Sequence, residues 1–163
     1  MDIPAQPRFA LVTDSMADME SGAAPTVDTL LESTLESVDE AEVAVLKIAE
    51  DIGFDEEELH KIGMAVRESM VNAVVHGNRY SARKKVHLRV WKAPDHLTVA
   101  IGDEGAGFEF SAVPDPLSEE NLLRQSGRGL LLIQAFVDKL EVSRGQPGGT
   151  EVKMVKYLGN ATR

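Results

Sequence analysis

The stretch from Gly63 to Asn78, GMAVRESMVNAVVHGN, limits the fold more than any other part of this chain. At 3.6 residues per turn, Leu59, Ile62, Val66, Met70, Ala73 and Gly77 share one face, the apolar stripe of a helix packed on a core. Glu68 falls on the opposite side, among Met64, Ala65, Val71 and Val75 rather than the charges of a solvated face, and Asn72 follows one turn on. An i, i+4 pair projects from adjacent turns toward one point. There a carboxylate can take a proton while an amide oxygen holds a metal ion. A buried helix whose Glu68 is paired with a distant Arg or Lys would explain the same stretch, because charged side chains are rarely buried unpaired.

The elements around this helix follow from pattern and punctuation. Residues 1–25 mix Pro, Asp, Ser, Gly and Met without period and read as a loosely ordered extension ahead of one domain at 26–160. Val27 to Glu36 suits a strand near a sheet edge. Ser37 with Glu40 has capping-box spacing, and Val38, Ala41, Val45, Ile48, Ala49 and Ile52 then keep helical spacing until Gly53. Asp55 with Glu58 starts the long helix in the same way. Val86, Leu88 and Val90, then Leu97, Val99 and Ile101, alternate about Pro94-Asp95-His96, which predicts a hairpin with His87 and Trp91 on its outer face. A Gly-rich turn follows at 102–108. Residues 109–126 read as a lid with a short helical patch at 117–125, and Leu130 to Val137 as a buried helix. Two strands, one through Leu140 and Val142 and one from Thr150 to Leu158, close the chain.

Charge divides unevenly along this order. The net charge is −10, yet residues 1–60 hold sixteen Asp/Glu against Arg8 and Lys47, whereas residues 61–163 hold fifteen Lys/Arg against eleven Asp/Glu. A general nucleic-acid binder needs a basic surface and is disfavoured, and the later part is the better home for an anionic ligand. The acidic part is either a solvated face or a receiver of a basic protein. At 163 residues and 43% hydrophobic, the chain suits one cored domain. The absence of cysteine fits a reducing cytosol, and with no leader-like start and no membrane-length apolar run a cytoplasmic location away from the membrane is expected.

Three features point to chemistry. Gly127-Arg128-Gly129 opens a helix, where free backbone N–H groups and the helix dipole favour a phosphate chain. Asp103 ends a strand before Gly105 and Gly107, either as a turn-forming Asp or as an acceptor for an exocyclic amine at the bottom of a pocket. Glu68 and Asn72 are the third. Neither a Walker phosphate loop nor a G-x-G-x-x-G after a first strand is present, which excludes the usual nucleotide folds.

In order, Glu68-x-x-x-Asn72-Ala73, Asp103-x-Gly105-x-Gly107, Gly127-Arg128-Gly129-Leu130 and Gly148-Gly149-Thr150 resemble the ATP-binding family shared by gyrases, heat-shock chaperones and histidine kinases. Within it, His76-Gly77-Asn78 at the end of the helix and Gly148 to Val152 in the last strand are similar to the bacterial anti-sigma-factor serine/threonine kinases, or switch-protein kinases. The resemblance covers roughly residues 27–158.

It implies an α+β fold, a two-layer α/β sandwich with a mixed, mostly antiparallel sheet and helices on one face. It implies ATP and Mg²⁺ as cofactors, with Asn72 on the metal and Glu68 activating the attacking hydroxyl. Asp103 and Thr150 would hold adenine, Gly105 and Gly107 would line its pocket, and Gly127, Arg128 and Gly129 would wrap the phosphates. The implied partners are an anti-anti-sigma factor as substrate and a sigma factor, and a homodimer is common among such kinases. A nucleotide-gated binding module without phosphoryl transfer is the alternative from another class. The catalytic half of a sensor histidine kinase is a third reading, disfavoured because the sequence shows no dimerisation helix pair carrying an acceptor His, and a stand-alone ATP hydrolase, a fourth, would release phosphate with no protein substrate present. His76, at a helix C-terminus, is read as structural, and His60 and His96 carry no role.

Overall fold

The computed structural model describes residues 23–105, 125–145 and 148–159. Five strands, β1 (Val27–Leu31), β2 (Val86–Lys92), β3 (His96–Gly102), β4 (Lys139–Arg144) and β5 (Thr150–Tyr157), form one sheet in the order β1-β2-β3-β5-β4. All four pairings are antiparallel. The parallel component of the expected mixed sheet is therefore not found among the described strands, because hairpin-type returns join β2 to β3 and β4 to β5.

Three helices, α1 (Leu35–Ile52), α2 (Glu56–Val71) and α3 (Gln125–Phe136), supply the second layer. α1 begins earlier than its apolar period suggests. Thr34, extended at φ −133°, accepts a hydrogen bond from the Ser37 N–H at 3.3 Å and is the N-cap in place of Ser37. Consequently β1 ends at Leu31 rather than Glu36. At the other end Gly53 takes φ 116°, and its N–H bonds the Ala49 carbonyl, as a left-handed C-cap requires. Asp55 caps α2 as its spacing predicts, accepting from the Glu58 N–H at 2.9 Å.

The core lies between the layers. Val38, Ala41 and Val45 of α1, and Ile62, Val66 and Met70 of α2, are buried against Leu88 and Val90 of β2, Val99 and Ile101 of β3, and Met154 of β5. Leu130 and Ile133 of α3 extend it toward Leu140 and Val142 of β4. Each of these side chains larger than Ala41 contributes about 1.5–3 kcal/mol relative to exposure. Asp28, His87, Arg89 and Trp91 lie on the other face, as the alternation predicts, and His87 pairs with Asp28 at 2.6 Å.

Candidate functional site

The long helix carries the first half of the site and changes its winding there. At Asn72 the backbone N–H is shared between the Glu68 and Ser69 carbonyls, and Asn72–Gly77 continues as a π-helix. Its wider turn is closed by Asn78 N–H to Ala73 carbonyl at 2.8 Å and Tyr80 N–H to Val74 carbonyl at 2.9 Å. π-turns of this kind are rare and are frequent at functional sites. Two non-glycine residues then adopt left-handed backbone, Arg79 at φ 52° and Tyr80 at φ 60°. Each such residue costs about 1–3 kcal/mol, so the turn persists only because its surroundings hold it.

The second half is the end of β3. Asp103 N–H donates to the Thr150 carbonyl at 2.9 Å, which ties the turn after β3 to the start of β5. The Asp103 carboxylate accepts from Gly105 N–H at 2.9 Å and from Thr150 N–H at 3.2 Å, both at Oδ1. Burial pushes this carboxyl above its usual range, opposed by those two N–H donors and by the nearby Lys84 charge. A half-desolvated carboxylate oxygen in this setting seeks a donor.

Glycines make the two halves meet. A Cβ on Gly77 would collide with the Asp103 carboxylate, and one on Gly105 would collide with the Gly77 carbonyl. Gly149, at φ 82°, packs on the Asp103 backbone carbonyl and could carry a side chain neither sterically nor conformationally. On the far side of the helix a Cβ on Gly129 would lie 2.7 Å from Glu68 Oε2 and 2.8 Å from Asn72 Nδ2, so α3 docks directly on the Glu68/Asn72 pair.

Between these contacts lies a cavity of about 490 Å³. Asn72, Asp103 and Thr150 line it together with Ser69, Ala73, Ile101, Leu130 and Val152. Its size suits a small organic ligand, and its wall sets an apolar patch of Ala73, Ile101, Leu130 and Val152 among many polar side chains. Arg79 and Lys84 also line it and make it hospitable to an anion. Among the described residues no group of three or more His, Cys, Asp or Glu side chains could hold a metal. A divalent ion fits here only as Mg²⁺ usually binds, through one protein oxygen with ligand phosphates and water completing its shell.

The structure thus gathers Asn72, Asp103 and Thr150 around one cavity, with Gly105 bonded to Asp103 behind it and Glu68 and Gly129 beside Asn72. Glu68 is half-buried rather than enclosed by the expected apolar wall, since Met64 on that side is 36% exposed and the α3 residue packed against it, Gly129, has no side chain. Gly127 and Arg128 fall in the first turn of α3, and the Arg128 side chain lies outside the described residues. Gly107, most of the lid and the 117–125 patch up to residue 124 also lie outside them. Sequence reasoning missed His76, Arg79 and Lys84 as lining residues. The run of basic residues at Arg79, Arg83, Lys84 and Lys85 directly after the helix was the available signal.

A helix layer on one face of an antiparallel sheet, with an Asn from a helix and an Asp from a strand end facing one cavity, is the frame of a small-ligand-binding α+β domain. The chain belongs to the histidine kinase-like ATPase domain family, which matches residues 31–156. Anti-sigma F factors are among its relatives. The anti-sigma F factors of Bacillus thuringiensis and Bacillus cereus are each 33% identical to it over 107 residues, covering 64% of this chain and 73% of theirs. Two of the solved structures that share the fold illustrate it. The RsbU and RsbW domains of a Mycobacterium tuberculosis protein superpose with a TM-score of 0.57 at 20% identity, over 86% of this chain. This chain spans only 35% of that one. The SiaB–SiaC complex from Pseudomonas aeruginosa gives 0.53 at 12% identity, over 90% of this chain and 98% of the other. No helix among the described residues is long and apolar enough to cross a membrane.

Proposed function

We propose that the chain is an ATP- and Mg²⁺-dependent protein serine/threonine kinase of the anti-sigma type. It phosphorylates an anti-anti-sigma protein in the cytoplasm and, once that partner is phosphorylated, sequesters a sigma factor. Residues 26–160 form the kinase domain. The observation that carries this reading is the convergence of Asn72, Asp103 and Thr150 on one cavity with Glu68 beside Asn72.

Phosphoryl transfer asks a protein for positioning and charge neutralisation more than for covalent chemistry. Asp103 Oδ2, next to Gly77, accepts the exocyclic amine of adenine, while Thr150 borders the same end. Gly105 and Gly107 keep that end open. Asn72 supplies one oxygen to Mg²⁺, whose role when bound is to neutralise and orient the phosphates. Gly127, Arg128 and Gly129 present the first turn of α3 to those phosphates, where backbone N–H groups and the dipole favour negative charge. Glu68 takes the proton of the attacking serine or threonine hydroxyl.

One observation favours a second reading, a nucleotide-gated binder without transfer. Glu68 does not line the cavity that Asn72 and Asp103 share. Labelled ATP separates the two. Incubated with the chain and an anti-anti-sigma protein, transfer should be abolished by Glu68→Gln while ATP binding persists, whereas Asp103→Asn should weaken binding itself. Equal transfer by wild type and Glu68→Gln would refute the base; incorporation by neither protein would favour the binder.

A further inference from the structure

We infer that Asn78 is a positioning residue for nucleotide selection, locking the Asp103 turn against the end of the long helix; this rests on the nucleotide reading of the cavity given above. Asn78 is 1% exposed. Its side chain reaches three segments at once. Nδ2 donates to Ser33 Oγ at 2.9 Å and to the Lys85 carbonyl at 3.0 Å, while Oδ1 accepts from the Glu104 N–H at 2.8 Å.

The chemistry of those partners fixes the amide's orientation. A backbone carbonyl only accepts and a backbone N–H only donates, so a flipped Asn78 would lose both. Ser33 Oγ, itself 2.5 Å from the Lys84 carbonyl as donor, completes the chain of bonds. Asn78 therefore has every side-chain donor and acceptor engaged, and the segments it joins are those that border the cavity: Lys84, and the turn that follows Asp103.

The need for a lock is physical. Gly77 and Gly105 let the Gly77-Asn78 and Asp103-Glu104-Gly105 backbones lie in contact, but close approach by glycine carries no restraint of its own. A partly desolvated carboxylate gains by swinging toward water. Gly105 N–H holds Oδ1 from within the turn. The Glu104 N–H bond to Asn78 holds the turn from without, one peptide unit from the carboxylate. Removing it leaves the Glu104 N–H without this partner and frees the turn to relax, so Oδ2 no longer meets its donor at a fixed place.

A double-mutant cycle with Mg²⁺ and ATP tests this by titration calorimetry on wild type, Asn78→Ala, Asp103→Asn and the double variant. Asn78→Ala should weaken ATP about tenfold in the wild-type background, the value of one well-placed hydrogen bond, and less than about twofold once Asp103 is Asn. A merely structural Asn78 would cost the same factor in both backgrounds, and that result, or no loss in either, overturns the inference. If Asp103→Asn binds ATP as tightly as wild type, the nucleotide reading fails instead. Should Asn78→Ala not fold by circular dichroism, Ser33→Ala, which removes one of the three bonds, goes through the same cycle under the same criterion.

Discussion

Replacing Gly129 with Ala sets helix propensity against the site in a way that separates stability from function. Gly129 lies inside α3, and Ala there favours the helix by up to about 1 kcal/mol. The added Cβ would stand 2.7 Å from Glu68 Oε2 and 2.8 Å from Asn72 Nδ2, against about 3.4 Å for an ordinary contact. Both neighbours are ends of side chains rather than backbone, so they yield and the fold survives. The required shift is about 0.6–0.7 Å for each group, by difference from that ordinary contact. Misplacing a catalytic or metal-binding group by about 1 Å can cost a hundredfold in rate, so a loss of about ten- to hundredfold in transfer is expected. Because Asn72 is the proposed metal contact, the binding defect should be confined to the metal-dependent part. Calorimetry with ATP should therefore show weaker binding in Mg²⁺ and little change in EDTA, while thermal unfolding stays at or above wild type. Equal losses in Mg²⁺ and EDTA, or wild-type affinity in both, would refute the placement of Glu68 and Asn72 against Gly129 as functionally relevant.

Two further outcomes bear on charge inside the fold. Because burial raises the Asp103 carboxyl in the native state, the ionised form is penalised there: stability falls as pH rises from the ordinary carboxylate range through the raised native value, and stays lowered above it. Asp103→Asn keeps an oxygen for the Gly105 and Thr150 N–H groups, so urea unfolding should find it at least as stable as wild type at pH 7, with the gap closing toward pH 4; a gap that widens on acidification would contradict the burial argument. Lys156 and Asp138 form a pair at 4.0 Å with side chains only 10% and 9% exposed. Asp138→Ala should cost about 3–5 kcal/mol by leaving a buried ammonium unpaired and the Tyr157 N–H without its acceptor, and Lys156→Met much less, since Asp138 keeps that N–H. Urea melts of both variants check the order.

How much of this was legible in the sequence follows from the range over which each feature is decided. Both long helices were readable because their stripes, Val38 to Ile48 and Ile62 to Met70, and the Asp55 and Gly53 caps are set within a few residues. The α1 start was misread because two hydroxyls three positions apart, Thr34 and Ser37, both satisfy the local rule, and only the extended backbone at Thr34 decides between them. Alternation at Val86 to Trp91 and Leu97 to Ile101 announces strands but is silent on the direction of their neighbours, so an all-antiparallel sheet could not be told from a mixed one. That Asn72, Asp103 and Thr150 share one cavity was legible through their motifs. The π-turn and the strained Arg79-Tyr80 pair were not, and the reason is specific. Intrinsic propensity would continue an α-helix through Asn72-Ala73-Val74-Val75-His76, and the wider winding is selected only where Gly77 can press on Asp103 and Asn78 can reach Glu104, contacts 26 residues away along the chain. A helix end that departs from its local preference in favour of distant partners is what a cavity wall requires. That is why the least predictable turn of the long helix is also the one that faces the site.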